Sequence, residues 1–194
     1  MAFKVTIVPV IITCYLSLYG SALSAVLPPG AKDVSLLRQI PDNQEVYCHP
    51  FTDQSIIIDL LQYVEESDDC AISVHFEDLS ESNGVTPGEA RILHIEQIPV
   101  DRLSLECQSA WYILGEQNIA KFNETVKNTV QIHMGLFRLP DVTTDILVTL
   151  NDPINIDPNS SSNQAVPVSA DRWTAEDLKK TLCSLKILDS GIFG

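Results

Sequence analysis

The sequence is poor in cysteine, and the few cysteines are widely spaced. There are five in 194 residues, with no CxxC pair: Cys14, Cys48, Cys70, Cys107 and Cys183. An odd, sparse set argues against a disulfide framework and against a zinc site built on thiolates. We therefore expect reduced thiols, as in cytosolic and nuclear proteins. Removal of the first segment as a secretory signal would leave four cysteines, enough for two disulfides.

Common catalytic motifs are absent from the sequence. No P-loop (GxxxxGK[ST]) occurs, and neither does GxSxG, HExxH or GxGxxG. We therefore predict no direct nucleotide binding, no cofactor and no catalytic residues. Two pairs, His75 with Glu77 and His94 with Glu96, would each share one face of a predicted strand. Such pairs are more often cross-strand partners than metal ligands, so we predict no metal site.

Positive charge is scarce. The chain has 12 Lys and Arg against 26 Asp and Glu, a formal net charge of −14. This charge repels nucleic-acid phosphates and anionic lipid, so neither is expected as a partner. A basic protein partner suits the chain better. The length and the hydrophobic content of 45% are those of an ordinary globular domain.

The acidic residues are concentrated in one segment. Between Asp33 and Asp78 there are eleven carboxylates and a single base, Arg38. One interpretation is a solvated surface that keeps the protein soluble. The other is a docking face for a basic patch on a partner. Composition alone does not separate the two.

The N-terminal segment also has two interpretations. In the first, Met1–Ala25 is a secretory signal, because Lys4 precedes an apolar run that is followed by small residues. In the second, Leu18–Val26 is a β-strand stopped by Pro28-Pro29-Gly30. The first places the protein in the secretory pathway, so the choice decides the compartment.

Hydrophobic periodicity predicts one helix followed by several strands. Asp53 would cap a helix over residues 53–66. Its apolar face would comprise Ile56, Ile57, Leu60, Leu61 and Val64, and its exposed face Asp59, Gln62 and Glu66. Strands are predicted at Glu45–His49, Ala71–Glu77, Ala90–Ile98, Ala110–Gly115, Asn118–Phe122, Val130–Leu139 and Thr144–Leu150. The two strands beside Gly115 are predicted to form a hairpin.

The C-terminal part is predicted to contain a loop and a second helix. Pro153–Ser169 is polar and rich in proline, which predicts a mobile loop. Thr174 then caps a helix with Asp177 three residues on, and Trp173 can pack on Leu178. The helix would bury Leu178, Leu182 and Leu185. Short separations between strands favour antiparallel pairing, so the fold class is α+β: an antiparallel sheet of about six strands flanked by helices.

Several stretches, all in one register, resemble a known family. They are Leu18–Ser35, Pro41–Tyr47, Thr52–Leu61, His75–Asp78, Thr144–Thr149 and the closing Leu188–Gly194. Together they resemble the Ran guanine nucleotide release factor family, over about residues 18–194. The resemblance implies the α/β/α sandwich of the photosystem protein PsbP. It also implies a monomer that binds the small GTPase Ran, promotes GTP release and supports nuclear protein import.

The resemblance has further implications for partners and location. Vertebrate members are linked to trafficking of the cardiac voltage-gated sodium channel, and the implied compartment is nucleus and cytoplasm. The alternative function is a non-exchange adaptor that escorts Ran or a membrane cargo. Within the family, Leu18–Val26 would be the first strand, so signal cleavage would remove structure. We therefore predict an apolar extension over residues 1–17 and a single Ran-binding domain over residues 18–194.

The resemblance also implies which residues contact Ran. The family's DLLE-type motif, associated with Ran binding, is here Asp59-Leu-Leu-Gln62, so Asp59 carries over while Gln62 lacks the charge. Glu66 is the candidate that compensates for it. The preceding loop motif is matched by Asp33, Asp42, Asn43 and Glu45. Asp and Asn also favour tight turns, which is the alternative explanation for that loop.

Overall fold

The fold consists of two antiparallel sheets and two helices. The computed structural model describes residues 15–35, 37–120, 124–163 and 171–194. The main sheet has the order β3 (Lys32–Asp33), β4 (Gln44–Cys48), β5 (Ser55–Gln62), β9 (Thr144–Asn155), β8 (Lys127–Leu139), β7 (Ser109–Ala120), β6 (Ala90–Gln97). The smaller sheet contains β1 (Tyr15–Leu18), β2 (Leu23–Val26) and β10 (Lys186–Ile187). The helices are α1 (Asp68–Ser82) and α2 (Ala175–Ser184).

The main sheet separates two hydrophobic layers. α1 packs on one face through Ile72 and Phe76. α2 packs on the other face, together with β2 of the smaller sheet. Successive residues of a strand point to opposite faces, so in β9 Leu147 joins the α1 layer while Ile146 and Val148 join the α2 layer. The predicted α+β class, with an antiparallel sheet between helices, is confirmed.

β7 runs without interruption through Gly115, so the hairpin predicted there is wrong. The glycine serves packing, because a Cβ atom at Gly115 would lie 2.4 Å from Cε2 of Phe76 in α1. On the other face, a Cβ atom at Gly135 would lie 2.3 Å from Cδ2 of Leu182 in α2. Each helix therefore approaches the sheet over a glycine. The predicted second arm of the hairpin continues β7 to Ala120, and its last two residues lie outside the described residues.

The helix predicted over residues 53–66 is wrong, because Ser55–Gln62 forms β5. β5 lies between β4 and β9, and Ile56 and Ile58 are fully buried. A central strand is covered on both faces, so its apolar residues form a continuous run that imitates a helical stripe. The three consecutive isoleucines favour the strand, because β-branched side chains fit a pleated sheet.

The strand predicted at Ala71–Glu77 is also wrong, because this segment lies within α1. Ala71, Ile72, His75 and Phe76 are buried there, at the i, i+1, i+4 and i+5 spacing of a helix face. Two acidic residues, Asp68 and Asp69, occupy the first turn, where they interact favourably with the helix dipole.

Other predicted elements are confirmed. β4, β6, β8 and β9 occupy the segments predicted for them, with ends that differ by a few residues. In α2, Thr174 and Asp177 form a reciprocal capping box, and Leu178, Leu182 and Leu185 are buried. The loop predicted at Pro153–Ser169 begins later than expected because β9 extends to Asn155, and residues 164–169 lie outside the described residues.

The strand predicted over Leu18–Val26 is a hairpin. β1 and β2 pair with Tyr15 opposite Val26 and Leu18 opposite Leu23. A short 3₁₀ turn at Tyr19–Ser21 joins them. β1 therefore includes residues 15–17, which the sequence assigned to the extension, and the rest of that extension lies outside the described residues.

Two further observations concern the outer strand β6 and the lengths of the helices. β6 is an outer strand of the main sheet, and a bulge between Ile92 and His94 interrupts its register with β7. Neither of the two helices in the described ranges is long and apolar enough to cross a membrane.

Candidate partner-binding groove

A shallow groove of about 500 Å³ lies where β5 ends beside the start of β9. It contains three of the residues implicated by the sequence, Asp42, Asn43 and Gln62. The remaining lining residues are Leu60, Leu61, Thr143, Thr144, Ile192 and Phe193. The groove thus combines a polar rim with an apolar floor, which suits a protein partner that presents both kinds of side chain.

Asn43 is held firmly at the rim. Its carbonyl accepts a hydrogen bond from Leu60 N–H at 2.9 Å, and its side-chain Nδ2 donates to Leu60 O at 3.2 Å. Asp42 precedes it in the turn that begins at Pro41, where Gln44 N–H donates to Pro41 O at 2.9 Å. Asp42 is exposed, and its side chain makes no hydrogen bond or ion pair with the part of the chain that the structure describes, so its carboxylate is available to a partner.

Asp59 lies beside the groove but does not line it. It is half-buried in β5, opposite Gln44 of β4 and Leu147 of β9, on the sheet face toward α1. Burial raises the pKa of Asp59 to about 6, against the opposing effects of a hydrogen bond from Gln44 and attraction to His75. Asp59 is therefore a carboxyl group that titrates near neutrality.

The exposed face predicted for Asp59, Gln62 and Glu66 does not exist. In a strand, residues three apart point to opposite faces, so Asp59 and Gln62 diverge. Glu66 lies beyond β5, exposed in the segment that leads to α1, and is not part of the groove lining. The structure brings Gln62 to the groove and places Glu66 elsewhere.

Glu45 faces the protein interior rather than the groove. One carboxylate oxygen accepts a hydrogen bond from the backbone N–H of Tyr19, and the other accepts from the hydroxyl of Tyr47 at 2.6 Å. Burial, with the nearby carboxylates, raises the pKa of both tyrosines, so their hydroxyls remain donors at neutral pH. Asp33 has a turn role, because its Oδ1 accepts from Ser35 N–H at 2.7 Å.

A buried ionic network lies on the sheet face toward α1. The Asp145 carboxylate is 3.0 Å from Nε of Arg138 and 2.8 Å from Nε2 of His75. It also accepts from Val64 N–H at 3.0 Å, while Arg138 Nη2 donates to Val64 O at 2.6 Å and the guanidinium covers the ring of Tyr63 at 3.9 Å. The network therefore fixes the segment that leaves the groove for α1.

Sequence reasoning missed most of the apolar part of the groove. Ile192 and Phe193 come from the C-terminal 3₁₀ turn, which packs beside β5. The only sequence signal was the family-like closing stretch Leu188–Gly194, which carried no assigned role. Thr143, a β-branched residue, adopts the left-handed region at φ 47°, a strained conformation that often marks functional sites.

Of the two histidine–carboxylate pairs considered as metal ligands, only His94 and Glu96 meet. His75 bonds Asp145 within the core, whereas His94 and Glu96 form an exposed pair on β6 at 3.5 Å. The part of the chain that the structure describes contains no group of three or more His, Cys, Asp or Glu side chains arranged to hold a metal ion.

Fold and groove together define a three-layer α+β protein with a shallow groove that carries one carboxylate, Asp42. Residues 16–153 match the model of a protein family described as "Ran-interacting Mog1 protein". That match covers most of the chain. The protein therefore belongs to the Mog1 family.

Individual relatives extend this similarity to nearly the whole chain. This chain is 52% identical over 180 residues to the Ran guanine nucleotide release factor of Danio rerio. The alignment covers 91% of this chain and 98% of that protein. Identity to the human protein of the same name is 43% over 185 residues, covering 91% and 95%. The crystal structure of the Saccharomyces cerevisiae Ran-binding protein Mog1p matches with a TM-score of 0.69 at 29% identity, covering 93% of this chain and 98% of that one.

Proposed function

We propose that this protein binds the small GTPase Ran through the groove and promotes release of its guanine nucleotide, supporting nuclear protein import. The observation that carries the proposal is the 52% identity to a relative named Ran guanine nucleotide release factor, of which this chain covers 98%. A yeast relative at 32% identity is named nuclear import protein MOG1, which supports the import role.

Release by binding needs no proton transfer or covalent step. A factor that binds the nucleotide-free GTPase more tightly than the loaded one weakens nucleotide affinity by the same ratio. The groove offers the surface that this requires: an apolar floor and the exposed carboxylate of Asp42. Carboxylates pair with basic groups of a GTPase or compete for groups that hold phosphate.

The proposal also covers where the protein acts and in what state. We propose a monomer that acts in the nucleus and cytoplasm. Signal cleavage after Ala22 would separate β1 from β2, which pair along their full length, and cleavage after Ser24 or Ala25 would cut within β2. This supports the intracellular alternative over secretion. An escort role for a sodium channel would be a separate activity, measured by channel density at the cell surface.

A fluorescence assay tests the proposed function. Full-length protein is mixed with Ran loaded with a fluorescent guanine nucleotide, and release is followed with and without the protein. Accelerated release supports exchange. Binding without acceleration overturns exchange in favour of the adaptor alternative, and absence of binding overturns the Ran assignment as a whole.

Charge variants locate the site within this assay. We expect Asp42→Lys to weaken Ran binding at least tenfold, because a rim attraction becomes a repulsion. The matched control is Asp101→Lys, which makes the same charge change at an exposed position near the opposite edge of the sheet. Gln62→Glu should tighten binding about two- to fivefold by restoring a carboxylate at the rim. Equal effects of the two Lys variants would show a response to net charge and exclude the groove.

A further inference from the structure

The turn between β1 and β2 is strained and lies against the groove. Tyr19, Gly20 and Ser21 have φ values of 50°, 62° and 83°. Positive φ suits glycine, but it is unfavourable for tyrosine and serine. Such a conformation persists only where surrounding contacts hold it in place. The contacts of Tyr19 supply that restraint.

Tyr19 binds the main sheet through both its backbone and its side chain. Its N–H donates to the Glu45 carboxylate. Its hydroxyl lies 2.6 Å from Ile58 O and 3.0 Å from Asn43 O, and these two carbonyls share its single proton in a bifurcated hydrogen bond. One side chain from the N-terminal hairpin therefore joins β5 to the residue before β4.

The carbonyl of Asn43 links this contact to the groove. The same oxygen accepts from Leu60 N–H, and both residues line the groove. Asp42 is the next residue toward the N-terminus and carries the exposed carboxylate. The Asn43 carbonyl is joined to Asp42 by one peptide unit and the φ and ψ torsions of Asn43, so holding the carbonyl in place restricts the positions open to Asp42.

We propose that Tyr19 is a positioning residue for the partner-binding groove, and that its hydroxyl fixes the Asp42–Asn43 loop in the conformation that binds Ran. The proposal rests on the proposed function for its partner. It assigns the N-terminal hairpin a role in recognition, although Tyr19 lies 23 positions before Asp42 in the sequence and does not line the groove. Tyr19 acts through the loop and does not itself contact the partner.

The test removes only the hydroxyl. Tyr19→Phe keeps the ring, which packs against the α2 layer, and loses the donor to the two carbonyls. The matched control is Tyr112→Phe, which removes a half-buried hydroxyl that bonds His133 Nδ1 at 2.7 Å, three strands away from β5. Both variants are checked by thermal melting before use.

Two measurements separate positioning from a general loss of stability. The first is Ran affinity in a double-mutant cycle with Asp42→Ala. We expect Tyr19→Phe alone to weaken binding about three- to tenfold, as one lost hydrogen bond allows, and to add little to Asp42→Ala. The second is hydrogen exchange of the full chain without Ran, where Tyr19→Phe should speed exchange at the Leu60 amide and Tyr112→Phe should not.

Each outcome decides the proposal. Faster exchange at Leu60, with fold-changes in affinity that do not multiply, supports a positioning role. The positioning role is overturned if the fold-changes of Tyr19→Phe and Asp42→Ala multiply in the double variant, or if Tyr19→Phe binds Ran as tightly as wild type. Either result counts even when Asp42→Ala weakens binding as proposed. Failure of the wild-type protein to bind Ran overturns the proposed function and, with it, the partner assigned here. Unchanged hydrogen exchange at the Leu60 amide in Tyr19→Phe overturns only the link from the Tyr19 hydroxyl to the groove.

Discussion

The two faces of the main sheet bury different chemistry. The face toward α2 is covered by apolar side chains such as Ile58, Val148 and Leu182. The face toward α1 also buries Arg138 and Asp145, both 0% exposed, together with His75 at 3%. Apolar burial is non-directional and supplies stability, whereas ionic hydrogen bonds fix geometry. The comparison indicates that apolar burial on both faces stabilises the fold, and that the buried ions on the α1 face also set the path of the segment leaving the groove.

The largest expected effect comes from breaking the ionic face. Asp145→Asn leaves the guanidinium of Arg138 buried without its closest counter-charge, since Asp68 is 3.9 Å away and partly exposed. We expect the free energy of unfolding to fall by about 3–5 kcal/mol, measured by urea denaturation. As a control, Lys180→Met breaks an exposed pair with Asp177 and should leave the denaturation midpoint nearly unchanged. An equal loss in both variants would contradict the distinction between the buried network and an exposed ion pair.

A smaller effect is expected from pH, through Asp59 on the same face. Its pKa is raised to about 6, so between about pH 4 and pH 6 the folded state holds more protons than the unfolded state. This contribution to the free energy of unfolding therefore falls as pH rises through that range, by about 3 kcal/mol. Asp59→Asn should remove that fall and be relatively more stable at pH 7. Parallel stability–pH curves for wild type and variant would refute the assignment.

The smallest effect is expected on the α2 side. Thr174→Ala removes the side-chain acceptor for Asp177 N–H and breaks the capping box. We expect a loss of about 1 kcal/mol in the free energy of unfolding, with Ran binding unchanged because α2 does not line the groove. The control is Thr174→Ser, which keeps the hydroxyl and should melt like wild type. A change in affinity with Thr174→Ala would extend the site to α2.

Local signals predicted the parts of the fold that local chemistry determines. The capping box of α2 was visible because Thr174 and Asp177 interact across three residues. β5 was not visible, because the spacing of Ile56, Ile57 and Leu60 fits the apolar face of a helix as well as it fits a strand buried on both faces. Gly115 was assigned to a turn because its packing partner, Phe76, lies 39 residues away in the sequence. Tertiary contacts decided both cases.

The same limit applies to the candidate groove. Asp42, Asn43 and Gln62 were available from their resemblance to family motifs, and the structure places them together. The assignment of Glu66 failed because it depended on a helix that does not form. Tyr19 could not be found from the sequence, since its role depends on hydrogen bonds to residues 24 to 39 positions away. The pattern of apolar residues predicts strands, but it does not predict which turn contacts which end of the sheet.

The bulge in β6 has a consequence for the behaviour of the protein in concentrated solution. β6 is the long outer strand of the described sheet, and Ile92 and Leu93 are 39% and 43% exposed on it. A regular edge of this kind invites strands of other molecules to add, which is how ordered aggregates begin. The bulge breaks the hydrogen-bonding repeat that an incoming strand would have to match. One inserted residue thus disfavours strand addition along this outer strand.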